Sequence, residues 1–189
     1  MIYDLLYKTR TIRRFSREEI PSREELTELV RCARVTPSAA NRQRLRFAFI
    51  MKESADRAFE AVRFAGYLPE EERPSYEMRA GCYIVILSDL KQPDTHVSMD
   101  IGISAEAIVL AAREAGYGAC MIRSFDQAKI DGLIGTPEGL YSNLVIALGR
   151  DAERADITDM KNGDIKYYRD NKTNTNIVPK RTLDELIVN

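Results

Sequence analysis

The sequence predicts an α+β fold in a single domain that spans residues 1–189. Helical and strand segments are mixed without strict alternation, which favours packed layers over a doubly wound parallel sheet. No internal repeat and no Gly/Ser-rich linker divides the chain. With 189 residues, 44% of them hydrophobic, the chain can bury one core without disulfides or a metal.

The first long helix is predicted over residues 22–35, "SREELTELVRCARV". Ser22 followed three residues later by Glu25 is a capping box, in which each residue satisfies a backbone N–H of the other. Apolar residues then recur at helical spacing from Leu26 onward. Pro37 disfavours helical geometry at the residue before it, so the helix should end near Thr36.

The following segments are assigned from apolar patterning, turn residues and caps. They are a strand at 45–51, a helix at 54–66 ended by Gly66, a surface loop at 67–79, a strand at 82–88 buried on both faces, a helix at 98–115, a strand at 117–122, a helix at 124–135 capped by Asp126 and a strand at 142–149.

The helix at 98–115 is apolar on nearly all sides, with only Glu106 and Arg113 charged in its middle. Such a helix must be buried on most sides. It is either an ordinary central helix or part of a subunit interface, and the pattern does not separate the two. Its apolar run "IGISAEAIVLAA" is too short to span a bilayer.

Residues 150–189 form a polar C-terminal extension that ends in a short helix. A polar, extended segment cannot bury itself. We therefore expect it to lie on something, and wrapping a partner subunit would explain its composition.

The formal net charge is −1, so no global field attracts nucleic acid or an anionic membrane. Residues 1–50 nevertheless hold 11 Lys/Arg against 6 Asp/Glu, and the remainder holds 17 against 23. The three separated cysteines are expected to be reduced, buried thiols in a cytoplasmic protein. The lone histidine, His96, is expected in a solvated loop, so neither a metal site nor a histidine-dependent triad is predicted.

The local basic region is densest in "TRTIRRFS", residues 9–16. The planar guanidinium group of arginine can bind two phosphate oxygens at once, and a hydroxyl group adds a further hydrogen-bond donor. One phosphate could therefore be bound by both basic clusters, Arg10, Thr11 and Arg13 at one end of the chain and Lys180 and Arg181 at the other. The alternative, that both basic clusters are solvated surface, is favoured by composition alone.

A second candidate lies in "TPSAANRQRLRF", residues 36–47. Ser38, Asn41 and Gln43 could hydrogen-bond the polar edge of a planar ligand. They could equally satisfy their own turn.

The segments "RTIRRF", "ARVTPSAANRQ", "DIGISAEAIVLAAREAGYG", "RSFD", "VIALG" and "VPKRTLDEL" follow in this order. In order and spacing the chain resembles the FMN-dependent nitroreductase family over nearly its whole length. The resemblance implies a central, mainly antiparallel sheet flanked by helices, in an intertwined homodimer. It also implies FMN bound by both subunits at their interface, NAD(P)H as the usual donor and a ping-pong cycle.

The resemblance implies a role for each matched residue. Arg10 and Thr11 would hold the phosphate and ribityl chain, and Arg13 would lie by the pyrimidine ring of the flavin. The residues expected from the other subunit are Pro37, Ser38, Ala39 and Asn41, and Gln43 joins them as a candidate from its polar loop. Arg123 and Ser124 would lie beside flavin N5 and O4, and Lys180 with Arg181 would close on the phosphate.

Some positions depart from the family pattern. Thr11 stands where the family usually has Ser, Ser124 where Gly is frequent, and Arg44-Leu45 where Pro and an aromatic are common. We hypothesise that Arg44 and Arg123 favour anionic substrates.

The predicted function is transfer of a hydride from NAD(P)H through FMN to a small electron-poor acceptor, of nitroaromatic or quinone type. Since hydride passes between cofactor and substrate, no catalytic side chain is required. The alternatives are a flavin-binding module without turnover, a family relative with another FMN chemistry (dehalogenation, flavin fragmentation or heterocycle oxidation), and a flavin-free interaction protein.

Overall fold

The computed structural model describes residues 1–188. Its elements in chain order are α1 (Ile2–Lys8), β1 (Phe15–Ser16), α2 (Arg23–Arg34), β2 (Arg46–Met51), α3 (Glu53–Ala61), β3 (Cys82–Ser88), α4 (Thr95–Glu114), β4 (Gly118–Ile122), α5 (Gln127–Ile134), β5 (Tyr141–Asp151), β6 (Arg154–Asp159), β7 (Tyr168–Asp170), β8 (Thr175–Lys180) and α6 (Leu183–Leu186).

A five-stranded antiparallel sheet is organised around β5. β3 pairs with one side of β5 and with β2, so that Val85 lies opposite both Val145 and Ala48. β4 and β1 pair with the other side of β5. Because every residue of β3 is buried, as its continuous apolar run predicts, the antiparallel sheet forms the middle layer of the fold.

Two helical layers cover this sheet. Ile84 and Ile86 of β3 face a core cluster that includes residues of α2 and α4. Tyr83 and Val85 face the opposite cluster, which includes residues of α3 and α5. The side-chain alternation of one strand therefore divides the core into two halves, and the α+β fold class is confirmed.

α2 begins as predicted. The hydroxyl of Ser22 accepts a hydrogen bond from the Glu25 N–H at 3.1 Å, and the Glu25 carboxylate accepts one from the Ser22 N–H at 2.8 Å. The helix buries Leu26, Leu29 and Ala33. The local cap and the apolar stripe suffice to locate it.

α3 ends at Ala61, so the prediction that it continues to Gly66 was wrong. Val62 forms an antiparallel bridge with Phe125. The carbonyl of Ala61 accepts a hydrogen bond from the Asp126 N–H, and the Arg63 N–H donates to the carbonyl of Ser124. Pairing with a distant segment replaces the last predicted turns of the helix.

α4 begins at Thr95, earlier than predicted, because the Asp94 carboxylate accepts a hydrogen bond from the Val97 N–H at 2.8 Å. His96 is exposed in the first helical turn rather than in a loop. By length and composition alone this 20-residue helix could cross a membrane. However, its residues Ile101, Ala105 and Ile108 are buried in the core cluster that also contains strands β3 and β5.

The strands of the C-terminal region pair with one another. β6 pairs in parallel with β8, and β7 pairs antiparallel with β8, in a separate three-stranded sheet. Arg169 and Glu153 form an ion pair whose side chains are only 2% and 1% exposed. The expectation that this segment cannot bury itself was therefore wrong for its centre, where backbone pairing and one ion pair bury Glu153, Arg169 and Asn176.

The cysteines differ in burial. Cys82 and Cys120 are buried, whereas Cys32 is exposed on α2. The prediction of three buried thiols was therefore wrong for Cys32, which lies outside the buried stripe of its helix.

Candidate functional site

The arginine-rich N-terminal segment, residues 9–16, runs along the edge of β4. Thr11 forms a parallel bridge with Ala119, and the Ile12 N–H donates a hydrogen bond to the carbonyl of Ala119 at 3.0 Å. Ile12 and Phe15 are almost wholly buried. These apolar anchors hold the backbone that carries Arg10 and Arg13.

The close approach at this edge depends on Gly118. A Cβ atom at this position would lie 2.1 Å from Oδ1 of Asp151 and 2.8 Å from Cγ1 of Ile12. Both distances are shorter than van der Waals contact, so any side chain at this position would push the N-terminal segment away. The glycine is required here for space.

Glu153 fixes the same segment from the C-terminal side. Its Oε1 accepts hydrogen bonds from the backbone N–H groups of Arg13 and Arg14, at 2.6 and 3.2 Å. Its Oε2 accepts from Arg169 at 2.9 Å and from Asn176 at 2.7 Å. Sequence reasoning missed Glu153, because nothing in "GRDAERAD" distinguishes it from the other acidic residues.

Two arginines of this segment keep unused donors. Arg10 Nε and Arg13 Nη1 are buried and have no hydrogen-bond partner within residues 1–188. Arg10 Nη2 donates to the carbonyl of Leu6 at 2.6 Å, and the Arg13 guanidinium lies over the Tyr167 ring, 4.2 Å from its centroid. Since buried donors without partners are costly, these two fit a ligand with anionic or carbonyl oxygens, such as the phosphate and ring carbonyls of FMN.

The next two arginines are already engaged. Arg14 donates to the carbonyl of Glu72 at 2.8 Å, and Arg17 forms an ion pair with Asp56 at 3.1 Å. Neither side chain is therefore left free in solvent. They join the N-terminal segment to the loop at 67–79 and to α3, respectively.

The polar loop at 36–47 is largely satisfied by its own contacts. The Gln43 N–H donates to the Ser38 hydroxyl at 3.2 Å, and the Gln43 amide donates to the Asn41 side chain at 3.1 Å. The Ala39 N–H donates to the buried Asp100 carboxylate at 2.9 Å. Beside this loop lies a cavity of about 280 Å³ that Pro37, Ser38 and Gln43 help to line.

Within one chain this loop does not meet the N-terminal arginines. Asp100 holds the loop near the start of α4, whereas Thr11 lies against Ala119, just beyond the end of that helix. At 1.5 Å per residue, the helical rise from Asp100 to Ala115 is about 22 Å. Pro37, Ser38, Ala39, Asn41 and Gln43 therefore form a separate group.

Arg123 and Ser124 are exposed directly after β4. The Arg123 guanidinium donates to the carbonyl of Asn143, and the Ser124 carbonyl accepts from the Arg63 N–H at 2.8 Å. Ser124 also lines a cavity of about 500 Å³ under the loop at 67–79. These two residues therefore directly follow the strand that holds Ala119, and Ser124 borders an open cavity.

Lys180 and Arg181 are exposed at the end of β8. Lys180 lies opposite Asp159, at the end of β6 farthest from Glu153. Six extended residues span about 20 Å, so this pair lies far from the point where Glu153 holds Arg13. Within one chain the two basic clusters do not converge at that point.

Arg44 is engaged by two carboxylates. It binds Asp89 with two nitrogens, at 2.8 and 2.9 Å, and lies 3.7 Å from Asp94. The hydrogen bond from Arg44 lowers the pKa of Asp89 below its usual value. Because its charge is matched, Arg44 is poorly placed to attract an anionic substrate.

The antiparallel sheet and the basic segment along β4 occur in a chain that resembles known proteins in sequence and fold. The sequence model of the "Nitroreductase family" matches residues 6–150. The chain belongs to this family.

Individual relatives agree with that assignment. The chain is 28% identical over 160 residues to a candidate NADH dehydrogenase/NAD(P)H nitroreductase of Archaeoglobus fulgidus, covering 80% of this chain and 86% of the relative. It is 26% identical over 166 residues to an iodotyrosine deiodinase of Thermotoga neapolitana, covering 79% and 88%. An FMN-dependent nitroreductase of Clostridium difficile has the same fold, with a TM-score of 0.64, 21% identity and coverage of 90% and 99%.

Proposed function

We propose that this member of the family is an FMN-dependent oxidoreductase. It would pass two electrons from NAD(P)H to a small electron-poor acceptor of nitroaromatic or quinone type. The observation that carries the proposal is the pair of unpartnered buried donors, Arg10 Nε and Arg13 Nη1, on a segment fixed by Glu153. The similarity to an FMN-dependent nitroreductase fold supports it.

Three residues of the N-terminal segment have proposed tasks in binding FMN. Arg10, with the Thr11 hydroxyl, binds the FMN phosphate, which is a dianion near neutral pH. Arg13 lies beside the pyrimidine ring, where its positive charge stabilises negative charge on the reduced ring. The bound FMN supplies the two-electron carrier.

The proposed flavin site lies at a homodimer interface, and the other candidate residues complete it. Pro37, Ser38, Ala39, Asn41 and Gln43 would reach the flavin from the second subunit, while Arg123 and Ser124 offer backbone N–H groups to its N5 edge. Lys180 and Arg181 would close on the phosphate. The separation of about 22 Å along α4 within one chain supports a site that two copies complete.

The chemistry balances without a catalytic side chain. A quinone acceptor takes up two electrons and two protons; NAD(P)H gives both electrons with one proton as hydride, and solvent gives the second proton. Reduction of a nitro group to a nitroso group uses the same electrons and protons and releases water. The protein contributes binding, orientation and charge.

Absorption spectroscopy of the purified protein tests the proposal. We expect a flavin spectrum that bleaches when NADH or NADPH is added anaerobically and returns when an acceptor is added. A flavin spectrum that neither nicotinamide bleaches would favour a binding module without turnover. A colourless protein that takes up no added FMN would refute the proposal.

Reductive dehalogenation is a second candidate, because one relative is an iodotyrosine deiodinase. Such a reaction replaces a carbon–halogen bond by a carbon–hydrogen bond and releases halide, using two electrons from the reductant and a proton. Halide release from an iodophenol with dithionite as reductant, compared with quinone reduction under the same conditions, distinguishes the two activities.

A further inference from the structure

The cavity beside Ser124 has an unusual combination of charge and apolar surface. It measures about 500 Å³ and lies between the end of α3 and the loop at 67–79. Arg63 and Arg73 line it together with Phe64 and Pro74. Its walls therefore combine two arginines with an aromatic residue and a proline.

The positive charges of the two arginines in this cavity are not neutralised by acidic residues. Neither Arg63 nor Arg73 forms an ion pair within the described part of the chain, residues 1–188, and no carboxylate lines the cavity. Within residues 1–188 the Arg73 side chain donates only to the carbonyl of Leu68, at 3.3 Å. Glu72 directs its carboxylate elsewhere, to Asn171 at 2.9 Å.

Both arginines are held by backbone contacts. The Arg63 N–H donates to the Ser124 carbonyl at 2.8 Å, and the Arg73 N–H donates to the Glu70 carbonyl at 3.1 Å. Phe64, which lines the same cavity, packs against Phe59 with ring centroids 5.9 Å apart. These contacts fix the backbone from which both arginine side chains extend and the position of the Phe64 ring.

We propose that this cavity is the acceptor subsite and that it selects small planar aromatics that carry a carboxylate or phenolate. Arg63 and Arg73 bind the anionic group, and Phe64 packs against the ring. The inference rests on the proposed function, because Ser124 is the residue placed beside the flavin N5. It assigns the anion preference to this pair rather than to Arg44, which Asp89 neutralises.

Matched substrates test the inference. The ratio of kcat/KM for para-nitrobenzoate to that for the neutral para-nitrobenzyl alcohol should exceed one in the wild type. In Arg63→Ala/Arg73→Ala we expect this ratio to fall about tenfold, mostly through KM, since two exposed positive charges are lost. Arg57→Ala, which removes an exposed arginine from α3, should leave the ratio within twofold.

Two results would overturn the subsite while leaving the proposed function intact. One is equal kcat/KM for the anionic and neutral substrates in the wild type. The other is a loss of preference in Arg44→Ala but not in the double variant. In both cases the flavin still bleaches with NAD(P)H and the neutral acceptor is still reduced.

Calorimetry separates failure of the subsite from failure of the proposed function. Para-nitrobenzoate is titrated into the purified protein without reductant. Binding that weakens about tenfold in the double variant supports the anion site even if no nicotinamide bleaches the flavin. Binding of the same strength in both proteins, or no binding to either, overturns it whatever the redox activity.

Discussion

Glu153 accepts a hydrogen bond from the backbone N–H of Arg13 at 2.6 Å, although 140 positions separate the two residues in the chain. The same carboxylate pairs with Arg169 inside the C-terminal sheet. One buried group therefore ties the start of the C-terminal region to the segment that carries the proposed phosphate ligands.

Replacing Glu153 by Gln should destabilise the protein strongly. The change leaves the buried Arg169 charge unpaired and weakens the bonds to Arg13 and Arg14, so we expect a loss of about 3–5 kcal/mol in the free energy of unfolding. Chemical denaturation measures this loss. Glu28→Gln, in an exposed helical pair, should change it by less than about 0.5 kcal/mol.

A double replacement, Glu153→Met/Arg169→Met, tests whether the carboxylate also serves the N-terminal segment. An ion pair with no other role can often be replaced by apolar residues at little cost. Here two backbone N–H groups would lose their acceptor, so the double variant should remain at least about 2 kcal/mol less stable than the wild type. Full recovery of stability would show that the contact with Arg13 contributes little.

Removing Arg10 should weaken flavin binding. Because one charge-assisted hydrogen bond is worth about 1.5–3 kcal/mol, Arg10→Ala should raise the Kd for FMN about 10- to 100-fold. Fluorescence titration of the apoprotein with FMN measures the change. Arg31→Ala on α2, whose side chain is 70% exposed, is the control, and wild-type affinity in Arg10→Ala would refute the phosphate assignment.

Asp56 should make stability sensitive to acid. The hydrogen bond from Arg79, at 2.6 Å, and the charge of Arg17 lower the pKa of Asp56 below its ordinary 3.8. A carboxylate whose pKa is lower in the folded state stabilises the protein above about pH 4, and this contribution is lost as pH falls through the folded-state pKa.

The matched variant is Asp56→Asn, with Glu60→Gln on the same helix as its control. We expect Asp56→Asn to lose about 1–2 kcal/mol at pH 7 and to show a shallower loss of stability between pH 5 and pH 2 than the wild type. Urea denaturation across this pH range measures both. An unchanged pH profile would mean that other carboxylates determine the acid transition.

The three thiols should react at very different rates. Burial raises the pKa of Cys82 to about 12 and that of Cys120 to about 11, and only the thiolate is nucleophilic. With an aromatic disulfide reagent at pH 8, the native protein should release one equivalent rapidly, from exposed Cys32, and three after unfolding. The fast phase should disappear in Cys32→Ser. Its persistence there would show that a buried thiol becomes accessible.

Local signals predicted most of the fold. The Ser22–Glu25 box begins α2 as expected, and the apolar run of β3 is buried throughout. The end of α3 could not be predicted in this way, because Val62 leaves the helix to pair with Phe125, which lies 63 positions later in the chain. Where a distant partner decides the backbone path, periodicity carries no signal.

In the candidate site, too, local sequence signals were informative and contacts between distant segments could not be predicted. A local excess of arginine indicated the segment with Arg10 and Arg13, but not that Arg14 and Arg17 are occupied by Glu72 and Asp56. The partners, the Glu72 backbone carbonyl and the Asp56 carboxylate, lie 58 and 39 positions away in sequence, so composition could not reveal which arginines remain available. Glu153 was missed for the same reason.

The position of β5 has a consequence for biosynthesis. β1, β3 and β4 all pair with it, and all three are translated before Tyr141–Asp151. Until this strand leaves the ribosome, the apolar residues of β3 can pair only with β2. At about 5–20 residues per second, the nascent chain exposes unpaired strand edges for several seconds, a state that attracts chaperones and favours aggregation.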